Sequence, residues 1–202
     1  MWVARSGDDG ATFDTDSPIL PNQTGACACC GTRSLVTRDG TLLLLYRAAK
    51  AGVQRDMTLL ASSDHGQTFR AATVDRWNLN ACPMSSATMA EGPSGVLAAW
   101  ETQGQVYSAL VAPKTLTIDE SASPPGEAGG RKHPAIACNP QGEMLLAWTE
   151  GTGWQKGGSL AWQLYDAERK PVGPEGRKEG AIPTWSLATV VAGPDGGFTI
   201  LY

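Results

Sequence analysis

Short apolar runs recur along the chain, each opened by a polar turn that carries glycine. Aligned on Gly40, Gly95, Gly142 and Gly196, four of them read "RDGTLLLLYRA", "PSGVLAAWET", "PQGEMLLAWTE" and "PDGGFTILY". Before each glycine lies a second small or β-branched run: "SLVTR", "SSATMA", "HPAIAC" and "SLATVV". Each pair predicts a hairpin with the glycine in its tight turn. Third strands follow as "DMTLLASS", "QVYSALVA" and "SLAWQLY", and fourth strands as "FRAATV" and "LTI"; after the third run "DAERKP" reads as a turn. No stretch holds a 3.6-residue apolar period, so almost no helix is expected.

A unit of four short strands repeating every fifty residues or so is the pattern of a β-propeller blade. The chain is accordingly expected to be all-β, a single propeller domain over 1–202. It divides into a partial blade at 1–24, blades at about 30–76, 82–120 and 133–175, and a partial blade at 183–202. Joining the two partial blades would close a ring of four.

Composition narrows the function classes. With 42% hydrophobic and 18% charged residues, 24 Gly and 13 Pro, the 202-residue chain is globular and turn-rich. A net charge of -4 gives no electrostatic footprint for nucleic acid. No apolar run reaches membrane-spanning length. "MWVARSGDDG" shows no basic segment followed by an apolar one, so an exported protein would begin here after its signal, and a cytoplasmic one would need none.

Two turns share one spacing: Ser6, Asp8, Gly10, Thr12 and Phe13 in "RSGDDGATF", and Ser62, Asp64, Gly66, Thr68 and Phe69 in "SSDHGQTF". Aspartate can accept bonds from nearby backbone N–H groups, glycine allows positive φ, and the aromatic can pack between sheets. A calcium loop would need further oxygen ligands that neither segment has. The pattern S-x-D-x-G-x-T-F resembles the Asp box, or BNR repeat, of the sialidase-like propellers. The resemblance implies a six-bladed ring of which this chain would form an incomplete part, with exposed sheet edges there and the rest of the propeller as partner. It also implies that these turns are structural and lie on the face away from the active site, and that His65 is solvated.

Function is then expected in the loops leading into each first strand and in those between second and third strands. They gather Cys27, Cys29, Cys30, Arg47, Arg55, Asp56, Cys82, Glu101, Arg131, His133, Glu150, Trp154 and Trp185. The C-x-C-C of Cys27 to Cys30, the "YRA…RD" of Tyr46 to Asp56 and the "W….CP" of Trp77 to Pro83 together resemble a bacterial subset of the sialidase-like group labelled exo-α-sialidases. Three readings of the cysteines stay open. One of Cys27, Cys29 or Cys30 forms a disulfide with Cys82, as suits a periplasmic or extracellular protein; or Cys29, Cys30, Cys82 and His133 bind copper or zinc; or the thiols are buried as small hydrophobes. Cys138 is a core residue.

The resemblance implies glycoside chemistry: an arginine clamp for a substrate carboxylate and an acid/base carboxyl group. The candidates are Arg47, Arg55 and Arg131 for the clamp, Asp56 for the acid/base, and Glu101 or Glu150 as the partner carboxylate. Trp154 and Trp185 are placed to stack on a sugar, whereas Trp100 and Trp148 are expected between blades. The family's R-I-P motif is absent, and no tyrosine falls clearly at the channel. A glycan hydrolase or glycan-binding propeller is therefore expected, against a metal- or redox-linked propeller or an interaction scaffold.

Overall fold

A computed structural model describes residues 1–22, 25–127 and 129–202; Gln23 and Thr24, which complete the N-x-T sequence at Asn22 and the end of the 1–24 partial blade, lie outside them. The described residues form strands and one 3-10 turn, with no α-helix. They divide into two compact units, Met1–Pro83 and Met84–Tyr202.

The first unit contains β1 (Trp2–Val3), β2 (Ser17–Pro18), the 3-10 turn Ala28–Cys30, β3 (Thr32–Val36), β4 (Leu42–Arg47), β5 (Met57–Ser62) and β6 (Arg70–Asp75). β3 to β6 pair antiparallel in chain order, and β1 pairs with β2. The apolar run "LLLLY" suits a strand that packs on both faces, whatever its intrinsic propensity. Leu43, Leu45, Leu59 and Leu60 are fully buried in the two central strands, each worth about 1.5–3 kcal/mol in apolar burial. Tyr46, Ala48 and Leu60 form a core with Ile19, which brings the segment after β2 onto the sheet.

The two Asp-containing turns connect β1 to β2 and β5 to β6. In both, the backbone N–H of Gly10 or Gly66 donates to the serine hydroxyl four residues earlier, at 2.7 and 2.8 Å. The threonine N–H and hydroxyl then donate to the aspartate carboxylate. Asp9 and His65 occupy the left-handed region at φ 57°, followed by Gly10 at 87° and Gly66 at 78°. Two successive left-handed residues explain why the second is glycine.

The second unit begins with β7 (Thr88–Gly92), β8 (Gly95–Thr102), β9 (Gln105–Ala112) and β10 (Thr117–Ile118), paired in chain order. A second four-stranded sheet follows: β11 (Arg131–Cys138), β12 (Met144–Glu150), β13 (Gly158–Tyr165) and β14 (Pro171–Ile182). The hairpin of β15 (Thr189–Ala192) and β16 (Phe198–Leu201) completes the unit. Leu97, Ala99 and Val106 pack against Ile136, Leu146, Trp148 and Tyr165. On the other side Ala135, Leu145, Ala147 and Leu160 pack against Val190, Phe198 and Ile200. The β11–β14 sheet is thus covered on both faces, which accounts for the continuous apolar run of β12.

β14 extends twelve residues to Ile182, past the end at 175 expected from the repeat. Its sequence, "PVGPEGRKEGAI", looks like a loop because an outer strand with one neighbour tolerates proline and glycine. Cys138 ends β11 half-buried beside the first core cluster, and burial pushes its thiol pKa up.

Candidate functional site

The β12–β13 connection, "GTGWQKG", lies at one end of the second unit's sheet. Gly153 and Lys156 exchange backbone hydrogen bonds at 3.1 Å, closing its tip. Its base requires glycine, since a Cβ on Gly158 would lie 2.1 Å from the carbonyl oxygen of Glu150. The loop lifts Trp154 into solvent, where its ring meets Trp185 edge to face, with centroids 4.6 Å apart. The rings are 68% and 62% exposed. Trp185 sits at φ 66°, an uncommon conformation for a bulky side chain and the kind of local strain that collects at binding sites.

The same loop borders a groove of about 290 Å³ lined by Glu150, Lys156, Ser159 and Arg177. Glu150 accepts from the Trp148 indole at 2.8 Å and from Arg131 Nε at 3.2 Å, and Arg177 pairs with its other oxygen. Burial alone would raise the Glu150 pKa; the bonds from Trp148 and Arg177 and the two guanidinium charges outweigh it, leaving the carboxyl below its ordinary value. Arg177 also pairs with Glu179, and these bonds raise its pKa. Glu179 accepts from the Ser159 hydroxyl at 2.6 Å. Glu150 therefore enters the groove as a fixed anion with no proton to donate near neutrality.

Arg131, expected to clamp a substrate, is buried beneath Glu150. Its guanidinium donates to Pro124 O at 3.2 Å, Pro125 O at 2.8 Å and Glu175 at 3.0 Å, besides Glu150, and lies 5.0 Å from the centre of the Trp148 ring. A fork so occupied offers nothing to a ligand; it positions Glu150. Glu101 is buried and accepts from the Gly104 N–H at 2.6 Å, holding the tip of the β8–β9 hairpin.

In the first unit Arg47, Arg55 and Asp56 do converge, around Trp77. Arg47 is buried, donates to Arg55 O at 2.7 Å and lies 5.0 Å from the centre of the Trp77 ring. Asp56 accepts from the Trp77 N–H at 3.0 Å. Arg55 donates to the carbonyls of Ala81, Gln54 and Gly52. The "YRA…RD" and "W….CP" segments are thereby tied together by these three side chains.

The cysteines converge as well. The Cys27 N–H donates to Arg47 O at 2.8 Å and the Cys30 N–H to Cys27 O at 3.2 Å, so the 3-10 turn holds three sulfurs close together. Cys27 Sγ lies 3.4 Å from Cys29, 3.3 Å from Cys30 and 3.7 Å from Cys82. Cys29 and Cys82 are joined as a disulfide, while Cys27 and Cys30 are thiols. Among the described residues the sulfurs of Cys27, Cys29, Cys30 and Cys82 form one group within 4.8 Å, all from the first unit, whereas His133 belongs to the second. His133 turns Nδ1 toward the N–H and hydroxyl of Ser86, both at 3.4 Å. Burial, with the neighbouring Lys132 charge, lowers its pKa to about 4.

Lys156, Ser159 and Arg177 were not singled out in the sequence. Lys156 lay in a loop noted only for its tryptophan, and Arg177 in a strand that resembles a loop.

No family model matches the sequence, and no curated protein does. Solved structures do match in fold. An α-L-arabinanase of Penicillium chrysogenum complexed with arabinobiose aligns at TM-score 0.67 and 15% identity over 98% of this chain and 65% of its own. The NanB sialidase of Streptococcus pneumoniae aligns at TM-score 0.64 and 17% identity over 98% of this chain and 31% of its own. A leech intramolecular trans-sialidase aligns at TM-score 0.55 and 16% identity over 98% of this chain and 32% of its own. The chain thus spans less than two thirds of each of these proteins. Its all-β organisation in sheets of four strands matches these propeller-type structures.

Proposed function

We propose that the protein is a glycan-acting propeller that holds sugar at the Trp154–Trp185 pair and the adjoining groove. The observation that carries this reading is the exposed pair of Trp154, on the loop that lines a polar groove, with Trp185 from the segment past β14. Indole faces suit the apolar face of a pyranose or furanose ring, and fixed charges suit its hydroxyls. Lys156 and Arg177 line the groove with cations and Glu150 with an acceptor. The arabinobiose complex of the arabinanase supports an oligosaccharide as the ligand class.

Binding is favoured over hydrolysis by this site alone, because Glu150, Glu175 and Glu179 are each held by an arginine and none is set up as a general acid. The finer reading, an Asp-box, exo-α-sialidase-type protein forming part of a six-bladed ring and exported from its cell, belongs to the same proposal. Its Asp-box and sialidase-type parts are supported by the matching turns at Asp8 and Asp64 and by the fold shared with a sialidase and a trans-sialidase. Titration of tryptophan fluorescence with arabinobiose and with sialyllactose tests the proposal, with released sugar assayed in the same samples. Saturable binding lost in a Trp154→Ala, Trp185→Ala double variant is expected. Absence of binding to either sugar, or binding unchanged in that variant, would overturn it.

A further inference from the structure

We propose that Cys27, Cys29, Cys30 and Cys82 bind one zinc ion as a tetrathiolate, in a site distinct from the glycan groove. All four sulfurs lie within 4.8 Å of one another. Tetrahedral zinc with Zn–S bonds of about 2.3 Å sets its sulfurs about 3.8 Å apart. The contacts of Cys27 with its three neighbours, at 3.4, 3.3 and 3.7 Å, are already close to that edge length.

The backbone favours a bridging ion over a direct sulfur bond. The Cα atoms of Cys29 and Cys82 stand 7.4 Å apart, whereas disulfides ordinarily span about 4.4–6.8 Å. A cation between the sulfurs accommodates the longer span and uses all four cysteines, where a disulfide leaves Cys27 and Cys30 as buried thiols. Two sulfurs come from inside and two from the surface, since Cys27 and Cys30 are buried and Cys29 and Cys82 exposed. The site is therefore closed on its inner side and reachable from solvent.

Its placement gives it a structural task. The turn at Ala28–Cys30 precedes β3, and Cys82 follows β6, so the ion fastens the segments flanking the first and last strands of one sheet. It also clamps the 3-10 turn against Arg47, whose carbonyl receives the Cys27 N–H. Each thiol loses its proton to solvent on binding. A small disulfide oxidises Cys29 and Cys82 by thiol–disulfide exchange, forming their S–S bond, leaving as two thiols that carry the two electrons, and removing two ligands; a dithiol reductant reverses the exchange and becomes a disulfide itself.

The test uses the full chain, reduced with a dithiol and then freed of reductant without oxygen. It is titrated with zinc against a chromophoric chelator, with thiols counted by alkylation before and after chelation. The proposal expects one zinc per chain, four thiols protected while it is bound, and an affinity roughly tenfold or more weaker in Cys82→Ser. His133→Ala should bind zinc unchanged. Cobalt(II) in place of zinc should give an intense sulfur-to-metal charge-transfer band, which reports ligation even where a variant folds poorly. The proposal is overturned if reduced wild-type protein takes up no zinc, if it takes up copper(I) but not zinc, or if Cys82→Ser keeps full affinity.

Discussion

Arg131 and Glu150 face each other across the first two strands of the β11–β14 sheet, Nε donating to Oε1 at 3.2 Å in a pair that solvent scarcely reaches. The same guanidinium holds two proline carbonyls and Glu175. Removing Arg131 leaves Glu150 to Arg177 and Trp148 and strips Glu175 and the two carbonyls of this donor, a loss near the lower end of the about 3–5 kcal/mol that breaking a buried pair typically costs. Arg131→Met should lower the unfolding free energy of the second unit by about that amount, read from denaturant unfolding of the full chain. If Arg131 instead served a ligand, the variant would retain stability and lose only binding.

Trp185 makes the opposite prediction. Its left-handed backbone costs the fold about 1 kcal/mol or more, and its ring is mostly exposed. Trp185→Gly should leave thermal stability unchanged or raised by a few degrees, while sugar affinity falls about tenfold. Differential scanning calorimetry beside sugar titration separates the two effects. A clear loss of stability would show that the ring is held for packing rather than for a ligand.

The strands were legible because burial on one or both sides imposes simple patterns. "LLLLY", "GVLAAW" and "MLLAW" read as central strands, and β4, β8 and β12 contain them. β14 was not legible: an outer strand carries little hydrophobic signal, and Pro174 with three glycines reads as loop. The tryptophans of the site could be named from their loops, but their contact could not, because it joins Trp154 to a residue past the end of β14. The cysteine cluster was half legible. C-x-C-C places three sulfurs close together, yet only the 3-10 turn decides that Cys27 turns inward with Cys30. Arg131 and Arg47 illustrate the converse: an arginine near a loop looks like a clamp in sequence, and only its acceptors show that it holds the fold.

Asp8 and Asp64 make the first unit sensitive to acid. The threonine hydroxyls, then the threonine N–H groups and the serines, stabilise both carboxylates as anions, taking Asp8 to about 2 and Asp64 lower still. A carboxyl group depressed in the folded state contributes stability that is complete above its unfolded value near 4 and is lost as the pH falls toward the folded value. Unfolding of the first unit should therefore become easier between about pH 4 and pH 2. In a Thr12→Val, Thr68→Val variant this dependence should flatten, as read by circular dichroism across a pH series. An unchanged slope would place the acid sensitivity elsewhere.

His133 should act at a higher and separate pH. It is half-buried at φ 50°, and burial first, then the Lys132 charge, lowers its pKa to about 4. Its Nδ1 faces the Ser86 N–H at 3.4 Å, a contact that only an unprotonated nitrogen can accept. The unfolded chain, with histidine near 6.5, takes up a proton that the folded chain refuses, so stability is complete above about pH 6.5 and falls as the pH drops toward 4. Partial exposure screens the effect, leaving about 1–2 kcal/mol across that window. Asparagine tolerates the left-handed region and does not titrate, so His133→Asn should keep the fold and remove the dependence between pH 6.5 and 4 while leaving the steeper loss below pH 4 intact. Urea unfolding at half-unit pH steps resolves the two windows, and a variant with the wild-type profile above pH 4 would show that another group carries it.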